Sequence, residues 1–237
     1  MADPAGASRP RRKPASETKA ALESALRDPP AALDITLTTW TAGTALHRMH
    51  LVDYASRAFN PGTAGNARFS PIVNVAGQPI PTLYGGTSFH CAAMETVFHD
   101  VPFAPGLKTY AKHKLERHLH SVLQTTRRLT LADLRNVPLR KLGVERKQLI
   151  DSEKETYGQT RKWAAAIHAQ HPDIQGLCWT SRQDDSALAV VLFGDRVAAD
   201  ALASRRSARA LLDEGPAYAE LLALADIIGV RLVAGRA

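Results

Sequence analysis

Short apolar segments mark strands along most of the chain. Strands are predicted over residues 33–40, 46–52, 174–181, 187–193 and 229–233. The segment TLYGG is predicted to be a short strand that Gly85 and Gly86 interrupt. Residues 46–52 alternate apolar and polar side chains, as a half-buried strand does. A polar loop joins the apolar segments 174–181 and 187–193. Residues 107–123 alternate in their first half, whereas their second half fits a helix as well as a strand.

Other segments have apolar residues at the spacing of a helix and are predicted to be helical. Helices are predicted over residues 17–28, 91–98, 154–170, 202–212 and 218–228. The first of these helices stops at Pro29 and the third stops before Pro172, because proline cannot continue a helix. Thr87 or Ser88 is placed to cap the helix over residues 91–98.

Strands and helices are mixed along the chain without internal repeats, which predicts one α/β (α+β) domain. Residues 54–81 are rich in Asn, Gly, Pro and Ser and are predicted to be a long loop of functional importance. Residues 1–17 lack periodic apolar positions and are predicted to be a disordered basic arm. An accessory helix and strand are predicted over residues 18–45.

The charge of the chain favours an anionic partner. The 237 residues carry a formal net charge of +7, and nearly half of this excess lies in the first twenty residues. Such a field raises the local concentration of anions but does not distinguish a nucleotide, a nucleic acid or an acidic protein. Charged residues make up 22% of the chain, an ordinary share for a globular domain.

The two cysteines indicate a reducing compartment. Cys91 and Cys178 lie in apolar segments far apart in sequence, which favours reduced packing residues over a disulfide. No apolar run reaches the roughly 18 residues that a membrane span requires, and no secretory signal precedes the first predicted helix. The sequence therefore predicts a cytoplasmic protein without a membrane partner.

Glu95 is the most informative residue, because it lies in the apolar run CAAMETVF. A carboxylate in such surroundings loses hydration when the helix packs, so we expect it to be buried and to have a cationic partner or a catalytic role. A purely structural ion pair is the main alternative.

Four other residues are candidates for ligand contacts. Arg68 follows a Gly-rich loop, where ligand contacts concentrate. Arg48 lies in a predicted strand, and its guanidinium is expected to reach an anion such as a phosphate, a carboxylate or solvent. Tyr84 ends a strand, where its ring can stack on a flat heterocycle or pack on the core. Ser181 begins a loop after a strand, a position that serines also occupy in ordinary turns.

Several common site types are not supported by the sequence. The nine histidines form no paired set at zinc-ligand spacing, and neither cysteine belongs to a Cys-x-x-Cys element, so no metal is expected. The chain contains no Walker loop and no dinucleotide-binding Gly-x-Gly-x-x-Gly motif. Ser181 is not part of a Gly-x-Ser-x-Gly elbow, which argues against a hydrolase triad.

Four motifs follow one another in a specific order: Arg68 in NARFSP, Tyr84 in TLYGG, Glu95 in AAMETVFHD and Ser181 in GLCWTSRQDDSALAVVLF. In this order they resemble the RES domain family, which is named for an arginine, a glutamate and a serine. The resemblance implies a RES-type catalytic domain over residues 46–237, with a core at 46–195 and a C-terminal helical extension at 196–237.

The resemblance also implies a fold and an activity. The fold would be a split β-sheet flanked by helices, similar to that of ADP-ribosyltransferases. The activity would be that of a toxin in a type II toxin–antitoxin system, which consumes NAD by cleaving the nicotinamide–ribose bond with phosphate or water and thereby arrests growth. NAD would be the substrate, inorganic phosphate would be a candidate co-substrate, and no metal would take part.

Matching the motifs residue by residue assigns roles that follow from the resemblance alone. Arg68 would hold the pyrophosphate or ribose, and Tyr84 would stack near the nicotinamide. Glu95 would act on the ribose, and Ser181 would support the site and contact NAD. Arg68, Glu95 and Ser181 would be the catalytic residues. Arg48 matches a second arginine that family members often carry in an early strand, and it would also contact NAD.

The resemblance implies partners as well. An antitoxin with a helix-turn-helix DNA-binding part would block the cleft, and a homodimer within the complex would be compatible with the family. DNA would be reached only through the antitoxin.

Two alternative functions remain open at this stage. The same cleft could transfer ADP-ribose to a protein. A more remote alternative, based on the charge of +7 and the RPRRK segment, is a nucleic-acid-binding protein without enzymatic activity.

Overall fold

The computed structural model describes residues 25–212 and 215–235. Its strands are β1 Leu37–Trp40, β2 Ala45–Leu51, β3 Thr82–Gly86, β4 Lys108–Ala111, β5 His118–Thr125, β6 Leu129–Asp133, β7 Gly176–Thr180, β8 Leu188–Phe193, β9 Leu202–Ser204, β10 Arg209–Ala210 and β11 Val230–Val233. Its helices are α1 Phe89–Thr96, α2 Asn136–Leu142, α3 Arg146–Leu149, α4 Tyr157–Gln170 and α5 Pro216–Ile227.

One large sheet organises the molecule. Its strand order is β1-β6-β7-β8-β3-β2-β5-β10, and β9 pairs with β5 beside β10. The pairs are antiparallel except for β6 with β7. The two halves of the sheet join at β2 and β3, whose register contains the pair His47 and Gly86. Strands β11 and β4 form a small parallel sheet.

Helices pack on the sheet through separate apolar clusters. Trp163 and Ile167 of α4 are fully buried with Trp179 of β7 on one face of the sheet. On the opposite face, Leu46 of β2 and Leu83 of β3 belong to a different cluster. Because successive side chains of a strand point to opposite faces, Tyr84 returns to the α4 side, where it packs on the first cluster. A third cluster joins α1 to α5.

The structure confirms the expected mixed α/β architecture and most of the predicted strands and helices. The predicted strand over residues 46–52 is β2, and the two apolar segments after residue 174 are the antiparallel pair β7 and β8. Residues 107–123 contain β4, a short 3₁₀ turn and the start of β5, so the second half is mainly a strand. The long loop over residues 54–81 is also confirmed.

The helix predicted over residues 202–212 is wrong. This part of the proposed helical extension forms β9 and β10, and the described residues of the extension are helical only in α5. The segment has good helix formers, but its residues Ser204 and Arg209 pair with Leu123 and His120 of β5. Tertiary pairing thus overrides local propensity.

The N-terminal predictions fall largely outside the described residues. The basic arm over residues 1–17 and most of the helix over residues 17–28 lie there, and residues 25–28 are not helical. Within the described part of the chain, no helix has the length and apolar character needed to cross a membrane. Cys91 and Cys178 are both free and buried, as the sequence predicted.

Candidate active site

A cavity of about 330 Å³ opens on the α4 side of the sheet, near the junction of β2 and β3. We call it the main cavity. The residues that line it include Arg68, Tyr84, Glu95, Lys154, Tyr157 and Trp179. Three of the predicted site residues, Arg68, Tyr84 and Glu95, therefore share one cavity.

Helix α1 carries Glu95 into the main cavity. The helix begins after Ser88, whose hydroxyl accepts a hydrogen bond from the Cys91 amide at 3.0 Å. Ala92, Glu95 and Thr96 are three and four residues apart, so they share one side of the helix, and all three line the cavity. Glu95 is half-buried rather than buried as predicted, because this side of the helix faces the cavity.

Ser181 holds the carboxylate of Glu95. Its hydroxyl donates to Glu95 Oε1 at 2.6 Å, and the amide of Arg182 donates to the same oxygen at 3.2 Å. The Ser181 oxygen in turn accepts hydrogen bonds from the amides of Gln183 and Asp184, each at 3.0 Å. The turn after β7 thus fixes the hydroxyl, and the hydroxyl fixes the carboxylate. Ser181 itself is completely buried.

Arg68 brings an unpaired positive charge to the main cavity. Its side chain is buried, yet Nε and Nη2 have no hydrogen-bond partner among the residues that the structure describes. The guanidinium lies over the ring of Tyr157, with 5.5 Å between Cζ and the ring centroid. Buried donors without partners are unfavourable, so this position is suited to an anionic ligand.

Helix α4 anchors the loop that carries Arg68. The Thr160 hydroxyl donates to the carbonyl oxygen of Arg68, and Arg161 Nη1 donates to Asn66 Oδ1 at 2.7 Å. Tyr157 lies three residues before Thr160, on the same side of the helix. One side of α4 therefore holds both the backbone and the side chain of the Arg68 segment.

Tyr84 packs on the core and also lines the main cavity. Its hydroxyl accepts a hydrogen bond from the amide of Phe69 at 3.1 Å, and its ring packs edge-on against Trp179. The ring also lines the main cavity. Burial raises the pKa of Tyr84 to about 12, so the phenol stays protonated at neutral pH.

Arg48 is placed differently from the prediction, because it is not among the residues that line the main cavity. Its guanidinium Nη1 donates to the carbonyl oxygen of Ser56 at 2.7 Å. Met49, the next residue of β2, does line the cavity, and side-chain alternation turns Arg48 toward the face that holds Leu46. Burial lowers the pKa of Arg48 to about 10.

The mouth of the main cavity carries a charge pair that the sequence analysis missed. Lys154 Nζ lies 2.7 and 2.9 Å from the two carboxylate oxygens of Asp100. His99 Nδ1 lies 2.8 Å from Asp100 Oδ1. The bond from Lys154, followed by that from His99, lowers the pKa of Asp100. Lys154 and Tyr157 lie at the start of an amphipathic helix, where their sequence positions carry no distinctive signal.

Two of the histidines, the half-buried His47 and the buried His120, form a stacked pair. His47 Nδ1 and His120 Nε2 are 3.0 Å apart, and their rings stack with centroids 5.1 Å apart. In residues 25–212 and 215–235, no group of three or more His, Cys, Asp or Glu side chains is arranged to hold a metal ion.

The fold and the site together define a mixed α/β domain with an acidic residue and an unpaired arginine in one cavity. The RES domain family matches residues 45–214, which is most of the chain, and this protein belongs to that family. No curated protein matches the chain.

A solved structure has a similar fold. It is the crystal structure of the M. tuberculosis MbcT–MbcA toxin–antitoxin complex, and the matched chain aligns with a TM-score of 0.53 at 16% sequence identity. The alignment covers 73% of this chain and 86% of that chain. At this identity the likeness establishes the fold.

Proposed function

We propose that this protein cleaves the nicotinamide–ribose bond of NAD and passes the ADP-ribose group to phosphate or water. The observation that supports this most strongly is the pairing of a buried, unpaired guanidinium on Arg68 with the held carboxylate of Glu95 in one cavity. The guanidinium suits the phosphates of a dinucleotide, and the carboxylate suits the positive charge that develops on the ribose.

The bond changes follow from this arrangement. Nicotinamide leaves with the electron pair of its bond to the ribose carbon, and an oxygen of water or phosphate forms the new bond to that carbon. The attacking molecule releases one proton, so the products are nicotinamide, a proton and either ADP-ribose or its phosphate ester. Glu95 stabilises the cationic sugar or accepts a bond from its hydroxyl, in a position that Ser181 holds fixed.

The activity is tested with the purified chain, NAD, and buffers with and without phosphate. We expect nicotinamide release to fall by about 100-fold or more in Glu95→Gln, because the amide lacks the negative charge that the transition state needs. Glu220→Gln, at an exposed site on α5, is the control and should retain full activity. Equal release by wild type and Glu95→Gln would contradict the proposal.

The acceptor is identified by mass spectrometry of the products. ADP-ribose, its phosphate ester and ADP-ribosylated protein differ in mass. Label from NAD that becomes attached to a protein would establish the alternative, a protein ADP-ribosyltransferase that uses the same cavity.

We also propose that the protein is a cytoplasmic toxin with a cognate antitoxin that has a helix-turn-helix DNA-binding part, and that it can be dimeric within the complex. This rests on family membership and on the similar fold in the MbcT–MbcA toxin–antitoxin complex. Expression of the chain alone should arrest bacterial growth, whereas Glu95→Gln should not. Normal growth with soluble wild-type protein present would refute the toxin assignment.

A further inference from the structure

The ion pair between Lys154 and Asp100 lies at the junction of two cavities. Besides the main cavity, a side cavity of about 280 Å³ is lined by residues that include Phe103, Glu153 and Arg182. His99, Asp100 and Lys154 line both cavities. The pair therefore lies where the two cavities adjoin.

We propose that Lys154 binds the diphosphate of the substrate. Asp100 pairs with this lysine until the substrate binds and takes its place. The inference rests on the proposed function, since it places the nicotinamide half of NAD beside Glu95 in the main cavity. The diphosphate in the middle of the dinucleotide then reaches the junction, and the adenosine half extends into the side cavity. Phe103, which is 89% exposed, lies there with a free aromatic face.

The energetics favour an exchange of partners by Lys154. Its side chain is 48% exposed and that of Asp100 is 73% exposed, so water already solvates both charges and their separation costs little. A diphosphate carries more negative charge than one carboxylate and can accept bonds from Lys154 and Arg68 together. The carboxylate of Asp100 neutralises the lysine and therefore competes with an anionic ligand.

This competition gives two variants with opposite expected effects. Lys154→Gln removes the diphosphate contact, so KM for NAD should rise about tenfold while kcat changes little. Asp100→Asn keeps the shape but releases Lys154, so KM should fall. A purely structural ion pair would make both substitutions act in the same direction, because each breaks the same contact.

Lys162→Gln is a matched control. Lys162 pairs with Asp28 at 2.7 Å, the same distance as in the pair of Lys154 with Asp100, and its side chain is similarly exposed at 56%. It lies on α4 but does not line the main cavity. Its substitution should leave KM and kcat for NAD at wild-type values.

Binding of ADP, measured by calorimetry, tests the same idea without turnover. ADP carries the diphosphate and lacks the nicotinamide, so its affinity should fall in Lys154→Gln and rise in Asp100→Asn. If the wild-type protein releases no nicotinamide from NAD, the proposed activity is refuted. The expected pattern of ADP binding in the two variants can still be observed in that case. Unchanged ADP binding in Lys154→Gln, absence of binding to the wild type, or weaker binding in both variants would overturn the inference.

Discussion

Ser181 shows how one buried hydroxyl can link stability to the geometry of the site. Its oxygen donates one hydrogen bond to Glu95 and accepts bonds from the amides of Gln183 and Asp184. Ser181 is therefore buried and does not line the main cavity. It nevertheless sets the position of the Glu95 carboxylate, which does face the cavity. The serine of the motif thus acts on the site through Glu95.

Ser181→Ala should lower both stability and activity. Two partly buried amides lose their acceptor, which should cost about 1–3 kcal/mol in the free energy of unfolding measured by urea denaturation. Nicotinamide release should also fall, since Glu95 loses its 2.6 Å partner. Ser186→Ala is the control at an exposed turn position and should change stability by less than about 0.5 kcal/mol. A Ser181→Ala protein as stable as wild type would contradict this account.

The sequence predicted individual site residues better than their surroundings. Arg68, Tyr84 and Glu95 were identified from motif order, and the structure brings them into one cavity. The position of Arg48 was not predictable, because apolar residues occur on both sides of β2 and alternation alone does not say which side faces the cavity. Lys154 was missed because an exposed lysine near a helix start is common.

At the level of elements, close packing between β2 and β3 forms part of the cavity wall. A Cβ atom placed on Gly85 would lie 2.8 Å from the His47 carbonyl oxygen and 2.4 Å from Leu46 Cδ1. Because the first of these atoms belongs to the backbone, the clash cannot be relieved by a side-chain rotation. The absence of a side chain at Gly85 thus lets the two halves of the sheet meet.

Gly85→Ala should destabilise the fold by about 1–3 kcal/mol, the usual range for overpacking, and should reduce the affinity for ADP. Gly158→Ala is the opposite control, because a Cβ on this residue of α4 has no atom within 4 Å. It should stabilise the helix by up to about 1 kcal/mol. Urea denaturation measures both effects, and a neutral Gly85→Ala would show that the strands can separate without cost.

Elements with strong periodicity were predictable, whereas several short ones were not. The amphipathic pattern before Pro172 correctly predicted α4, whose described bounds are Tyr157–Gln170. Strand β6 and helices α2 and α3 were missed, since segments of four to seven residues offer too few apolar positions for a period to emerge. The error over residues 202–212 has a different cause, because only the long-range partner β5 makes that segment extended.

At the level of the whole molecule, the histidines His47 and His120 are neutral in the folded protein, which makes the stability of the fold depend on pH. Burial, reinforced by His47 and then by Arg206, Arg209 and His50, lowers the pKa of His120 to about 3. Burial also lowers the pKa of His47. The unfolded chain binds these protons near pH 6.5, the ordinary value for the side chain, whereas the folded chain does not.

Stability should therefore fall as the pH is lowered from about 6.5 towards 3, with a slope of about 1.4 kcal/mol per pH unit for one such histidine. Urea denaturation at pH 7 and at pH 4.5 measures the effect. His120→Leu should have a shallower slope, whereas His113→Leu, at an exposed site, should keep the wild-type slope. Identical slopes in wild type and His120→Leu would disprove the role of His120.

The main cavity is assembled from parts of the chain that are synthesised at very different times. Arg68 and Glu95 precede Tyr157 of α4, and Trp179 and Ala189 come later still from β7 and β8. A nascent chain on the ribosome consequently has no formed cavity until residue 189 has emerged. An antitoxin of the kind proposed above, when translated alongside this chain, has that interval in which to fold before the cavity forms.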